Sequence, residues 1–123
     1  MKVLVIEDDP TYLKLMGALL KVSGHTVDGR SAAEGTLEAI AADRPDLVLL
    51  DLRLPGMDGL GLVRLLKANP ATRQIPIVVM TAYPDRYRRE ELLAAGCEAF
   101  IVKPVDTRGF PEKLEKLAGK APQ

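Results

Sequence analysis

The 123-residue chain has one cysteine, one histidine, no surplus of either charge and no apolar run of membrane length, and each scarcity excludes something. Cys97 alone rules out an internal disulfide and any multi-cysteine metal site. Lys plus Arg and Asp plus Glu both number 17, so no overall positive field favours nucleic acid. The opening MKVLVIEDDP holds an apolar run far too short for a signal peptide or a membrane helix. A glycine-rich turn after the first apolar run, which a dinucleotide site needs, is missing; acids stand there instead, and no P-loop occurs. What remains is ordinary globular composition, 47% hydrophobic and 28% charged. It describes a soluble, cytoplasmic single domain that buries a core without disulfides or a structural metal.

Continuous apolar runs recur at Val3–Ile6, Leu47–Leu50, Ile75–Met80 and Phe100–Val102, with a weaker one around Thr26 and Val27. Runs rich in Val and Ile that do not alternate with polar residues suit parallel strands covered on both faces, and the weak one suits an edge. Helical patterns lie between them. Asp9 caps a first helix with Pro10 at its first position, and Gly24 closes it. Ser31 and Glu34 have capping-box spacing for a second, running to about Ala42. Asp58 opens a third that stops at Asn69–Pro70, residues 84–95 form a fourth ending at Gly96, and a fifth covers Thr107 to Ala118. Pro111 is tolerated there only near the helix start. The expectation is an α/β domain over 1–118 with a frayed tail at 119–123. Its architecture is a five-stranded parallel, doubly wound, flavodoxin-like sheet in the order 2-1-3-4-5, with five helices.

In that order the first and third strands are neighbours, and ligands sit at their carboxyl ends. The first ends in Glu7-Asp8-Asp9 and the third in Asp51, so these acids converge from distant parts of the sequence. Singly, each reads as a cap, a solvated loop acid or a turn residue before Pro55–Gly56. Together they demand a counter-charge, because two carboxylates about 4 Å apart repel by roughly 4 kcal/mol at an effective dielectric of 20. An all-oxygen set of this kind suits Mg²⁺. The fourth strand adds Thr81 beside the small Ala82, and the fifth adds Lys103 beside Pro104. Acids, a hydroxyl and an ammonium at strand ends form a set that handles phosphoryl groups.

The segments VIEDDP, DLVLLDLRLPGMDG, VVMTAY and AAGCEAFIVKP, with their spacings, resemble the CheY-like receiver domains of bacterial response regulators over essentially the whole chain. The resemblance implies a signalling switch rather than an enzyme, a phosphoacceptor of a two-component system or phosphorelay. Asp51 would take a phosphoryl group from a partner's phosphohistidine. Glu7 and Asp8 would hold Mg²⁺ together with Asp51, Asp8 being the more direct ligand, and the backbone carbonyl of Arg53 would complete the protein's share. The Arg53 side chain would face the incoming group. Thr81 corresponds to the switch hydroxyl, Ala82 to the small residue that leaves room, and Lys103 to the lysine that pairs with the phosphoryl group. Phe100 corresponds to the switch aromatic, although it equally continues the apolar run of its strand. Tyr83 corresponds to a screen against water, or is simply an exposed loop aromatic. The Lys103–Pro104 bond is often cis in relatives.

Other readings fit less well. A haloacid dehalogenase-type phosphatase wants a second acid two residues after its nucleophile, where this chain has Arg53. A phosphorylation-independent protein-binding module on the same fold remains the alternative. His25 is expected at the surface, far from the crevice, so the donor histidine belongs to a histidine kinase or a histidine phosphotransfer protein. Output passes to a downstream protein, or to self-association, through the fourth helix, fifth strand and fifth helix, with no direct nucleic-acid or membrane partner. The run KPVDTRGFPEKL looks like receivers attached to hybrid kinases or acting as single-domain relays. Arg86, Arg88 and Arg89 make the start of the fourth helix basic, either as a solvated face or to favour an acidic partner. The first helix has more apolar residues than one buried stripe needs, which leaves Tyr12 and Leu15 toward its edge. With Thr11 they are expected to ring the mouth of the site and dock the donor, the competing reading being that Tyr12 and Leu15 are core.

Overall fold

The uninterrupted apolar runs become strands whose side chains are covered on both faces. In the computed structural model, which describes residues 1–54 and 56–120, β1 spans Lys2–Ile6, β2 Thr26–Arg30, β3 Leu47–Asp51, β4 Ile77–Thr81 and β5 Ala99–Val102. All pairings among them are parallel and the order is β2-β1-β3-β4-β5. β3 and β4 are buried along their whole length, whereas β2, at the edge, is largely exposed or half-buried. Arg53–Leu54 and Met57–Asp58 add a small antiparallel pair after β3. Pro55, of the turn expected between them, lies outside the described residues.

Five helices cover the two faces: α1 Pro10–Val22, α2 Thr36–Ala42, α3 Gly59–Ala68, α4 Arg89–Ala95 and α5 Phe110–Lys120. On one face Ile6, Val48, Leu50, Ile77 and Val79 meet Ile40 of α2, Leu62, Val63 and Leu66 of α3, and Leu92 of α4. On the other, Val5, Leu49, Val78 and Ile101 meet Met16 and Leu20 of α1 and Phe110 and Leu114 of α5. Each such side chain, fully buried, stabilises the fold by about 1.5–3 kcal/mol. The helix starts at α1 and α3 follow expectation: Asp9 accepts a hydrogen bond from Thr11 N–H at 3.0 Å, and Asp58 one from Leu60 N–H at 3.2 Å.

Four local expectations need correction. The Ser31–Glu34 capping box does not form: α2 begins at Thr36, and its cap is Gly35 at φ +82°, a left-handed conformation that glycine adopts without strain. The Thr36 hydroxyl donates to the Ala33 carbonyl at 2.7 Å, closing the turn ahead of the helix. The fourth helix is not continuous from 84. Pro84–Arg86 make a short 3₁₀ turn, and α4 starts at Arg89 after two extended residues. The fifth begins at Phe110, behind Gly109 at φ +71°, with Pro111 as its second residue; of the expected tail, Gly119 and Lys120 belong to α5 and 121–123 lie outside the described residues. Finally, the His25 side chain is only 8% exposed. Its Nδ1 meets the amino group of Met1 at 2.8 Å and its Nε2 meets Glu115 of α5 at 2.7 Å, so it joins β2 to the last helix. Among the described residues no helix is long and apolar enough to cross a membrane.

Candidate functional site: the carboxyl-edge crevice

Register brings the chemistry to one edge. Ile6 pairs with Leu50, Asp51 with Met80 and Thr81 with Val102, so Glu7, Asp51, Thr81 and Lys103 leave four adjacent strands side by side. Glu7, Asp51 and Thr81 are buried, and Asp8 is exposed at the rim. One carboxylate oxygen from each of Glu7, Asp8 and Asp51 lies within 4.8 Å of the others.

Lys103 supplies the counter-charge. Its ammonium donates to Asp51 Oδ2 at 2.7 Å and to Glu7 Oε1. Backbone amides complete the set, Arg53 N–H donating to Asp51 Oδ1 at 3.0 Å and Asp9 N–H to Glu7 Oε2 at 3.2 Å. Burial, reinforced by the neighbouring Asp51, pushes Glu7 from 4.5 up to about 7 despite the bond from Lys103. Burial alone would lower the lysine, but its bonds to Asp51 and Glu7 outweigh that and hold it above its usual range. Both shifts favour bound positive charge in the crevice, a proton on Glu7 and the ammonium on Lys103, the first chiefly through burial and the second through the two carboxylates. Three clustered carboxylates with an exposed member fit a hard, oxygen-seeking divalent cation such as Mg²⁺.

The other predicted residues lie around this centre. The Thr81 hydroxyl accepts from Tyr83 N–H at 2.9 Å, and Ala82 is exposed beside it. Arg53 does reach across the mouth, but to Tyr83: its guanidinium donates to the Tyr83 hydroxyl at 2.9 Å and lies 5.2 Å from the ring centre. Tyr83 is 51% exposed. Arg53, Asp58, Thr81, Tyr83, Arg86 and Tyr87 line a cleft of about 270 Å³. Phe100 is half-buried against the core, with the Arg89 guanidinium 5.7 Å from its ring centre. The Lys103–Pro104 bond is cis. Thr11 and Leu15 are exposed on α1, whereas Tyr12 is half-buried, its hydroxyl accepting from Val105 N–H at 3.0 Å and its ring 4.3 Å from the Lys103 ammonium.

Two contributors escape the sequence reading. Gly59 starts α3 so close to β3 that a Cβ there would stand 2.5 Å from Leu52 Cα and 2.6 Å from the Asp51 carbonyl oxygen. Its signal is the glycine directly after the Asp58 cap, a position where any side chain is normally admitted. Tyr87 donates to Asp58 Oδ1 at 2.7 Å, tying the approach to α4 to the cap of α3. Nothing in the spacing of these two residues announces that pair.

The profile of the response regulator receiver domain matches residues 3–115. The chain belongs to that family. The polar-differentiation response regulator DivK of Brucella anthropi is 34% identical over 120 residues, 97% of both chains, and the DivK of Brucella ovis matches equally. Among solved structures, the receiver domain of a Pseudomonas aeruginosa sensor histidine kinase, determined with magnesium coordinated in its active-site cleft, is 28% identical. It superposes with a TM-score of 0.86, covering 97% of this chain and 98% of that one. The BeF3-activated receiver domain of Klebsiella pneumoniae RstA is 31% identical with a TM-score of 0.87, covering 96% and 98%. Receivers are signalling switches of two-component systems, acting between histidine kinases and downstream targets, and this receiver has their flavodoxin-like fold throughout.

Proposed function

We propose that this receiver accepts a phosphoryl group on Asp51 from a phosphohistidine of a histidine kinase or histidine phosphotransfer protein. The observation that carries the reading is the setting of that carboxylate, buried at a strand end, bonded by Lys103 and by Arg53 N–H, with Glu7 and Asp8 beside it. Asp8 and Asp51 would hold Mg²⁺, with Glu7 behind them and the Arg53 carbonyl alongside. When bound, the cation neutralises the approaching phosphoryl oxygens. Asp51 supplies the attacking oxygen, the P–N bond to the donor imidazole breaks, and the imidazole keeps the electron pair. Lys103 then follows a phosphoryl oxygen. The Thr81 hydroxyl, released from Tyr83 N–H, donates to another.

Thr81 is the link to output. Its movement would let Phe100 turn inward and reshape the face of α4, β5 and α5, a shift between two states that the phosphoryl group biases. Leu93 and Val102, 41% and 42% exposed, give that face apolar contact surface for a protein target or a second copy. Thr11 and Leu15 are the free positions on α1 for donor docking.

A small phosphodonor with Mg²⁺ should add one alkali-labile acyl phosphate to the protein, and Asp51→Asn should abolish it while the fold persists. Labelling of Asp51→Asn at the native rate would overturn the reading and leave the phosphorylation-independent binding module in its place.

A further inference from the structure

We infer that Tyr12 is a positioning residue for Lys103: its ring and hydroxyl together grip the β5–α5 loop so that the ammonium is held over the Asp51 carboxylate. The inference deepens the phosphoacceptor reading and rests on it for the rate measurement alone.

The geometry has three parts. The ammonium of Lys103 has three donors, and two of them go to Asp51 and Glu7. Its remaining side is turned to the Tyr12 ring, whose centre is 4.3 Å from Nζ, a distance at which the negative face of the ring attracts a cation. Two residues further on, Val105 N–H donates to the Tyr12 hydroxyl at 3.0 Å, so one side chain of α1 holds the loop on both sides of Pro104. The lysine is only 13% exposed along its side chain, which strengthens the attraction by limiting competition from water.

A lysine needs such a grip. Its stem has four rotatable carbons, and free rotation would have to be frozen each time the ammonium followed a phosphoryl oxygen. If a cation or phosphoryl group takes over Asp51 Oδ2, Lys103 loses one of its two carboxylate bonds. The ring, which offers no competing proton acceptor, then keeps the ammonium within reach. It is preorganisation without a rival charge. This also gives Tyr12 a task different from docking, since both its ends are engaged inside the molecule.

Rates of labelling by acetyl phosphate with Mg²⁺ test this in wild type, Tyr12→Phe, Tyr12→Leu, Lys103→Met and the Tyr12→Leu/Lys103→Met double variant. Removing the ring should slow labelling roughly five- to tenfold, the size of one partly desolvated cation–ring contact. Tyr12→Phe, which keeps the ring, should recover the greater part of the rate. In the Lys103→Met background Tyr12→Leu should cost nothing further, because the group it positions is gone. Equal slowing by Tyr12→Leu with and without Lys103 would overturn the inference, as would a native rate in Tyr12→Leu. Should Tyr12→Leu not fold, Tyr12→Phe with a progressively fluorinated ring keeps the shape while weakening the attraction: the rate should fall with each fluorine, and a flat series overturns the inference. Absence of labelling in wild type would instead refute the phosphoacceptor reading. Positioning is then judged by unfolding midpoints without Mg²⁺ in the same cycle: non-additive shifts for Tyr12 and Lys103 support it, and additive ones overturn it.

Discussion

A single hydrogen atom at position 59 lets α3 start against the backbone that carries Asp51. Gly59 N–H donates to the Leu52 carbonyl at 2.8 Å, and a Cβ at 59 would stand closer to Leu52 Cα than any real contact allows. The neighbour is backbone, so it yields only by moving β3's end. Gly59→Ala should therefore destabilise the protein by about 1–3 kcal/mol, the range for overpacking a well-filled interior, as read from urea unfolding. Gly61, two residues on, has open space around its Cα, so Gly61→Ala serves as the control and should not destabilise. Equal unfolding midpoints for Gly59→Ala and wild type would show that the backbone there gives way easily.

At the scale of elements, the segment between β4 and α4 is stapled rather than wound. Arg53–Tyr83 and Tyr87–Asp58 both cross the cleft that separates it from the start of α3. Burial and then the bond to Asp58 hold the Tyr87 hydroxyl above its ordinary range. Tyr87→Phe should cost no more than about 1 kcal/mol of global stability, one modest hydrogen bond, while speeding amide exchange selectively at residues 86–92. Unchanged exchange there would mean that Tyr87 holds nothing. This segment also shows where sequence patterning stops. The strands were legible because Val48–Leu50 and Ile77–Met80 are apolar without interruption, and burial on both faces leaves them no other arrangement. The start of α4 was not, because residues 84–95 have helical periodicity while two tyrosine hydroxyls, bonded to residues some thirty positions away, hold the first part open. The capping box of α2 failed for a local reason instead: Gly35 supplies a left-handed turn that outranks Ser31 and Glu34.

Across the whole molecule, charge in the crevice sets a pH dependence. Glu7 titrates near 7 when folded against 4.5 ordinarily, so the native state holds a proton that the unfolded chain releases. That contribution is full below about pH 4.5 and is lost as the pH rises to about 7. Without divalent cations, Glu7→Gln should thus be more stable than wild type at pH 8 by about 1–3 kcal/mol, with the advantage fading toward pH 5. Thermal unfolding of both proteins across this range checks it, and parallel profiles would contradict it. The acids, Thr81 and Lys103 could be read from the chain because a parallel sheet in this order delivers every strand end to one edge. The contacts of Tyr12 and His25 could not, since no strand-end rule or periodicity announces a partner for a side chain on a helix or ahead of an edge strand.

The Lys103–Glu7 contact joins residues 96 positions apart, and this has a consequence for synthesis. A chain is made from its N-terminus, and domains take shape as it emerges. A nascent chain that has emerged only through β4 already holds Glu7, Asp8 and Asp51 but lacks the ammonium that offsets part of their charge. Like-charge repulsion then opposes closing β1 against β3 at just the end where the site will be. The arrival of β5, with Lys103 directly behind it, brings an ammonium that offsets part of that repulsion, so the last strand out of the ribosome eases the pairing of the first and third.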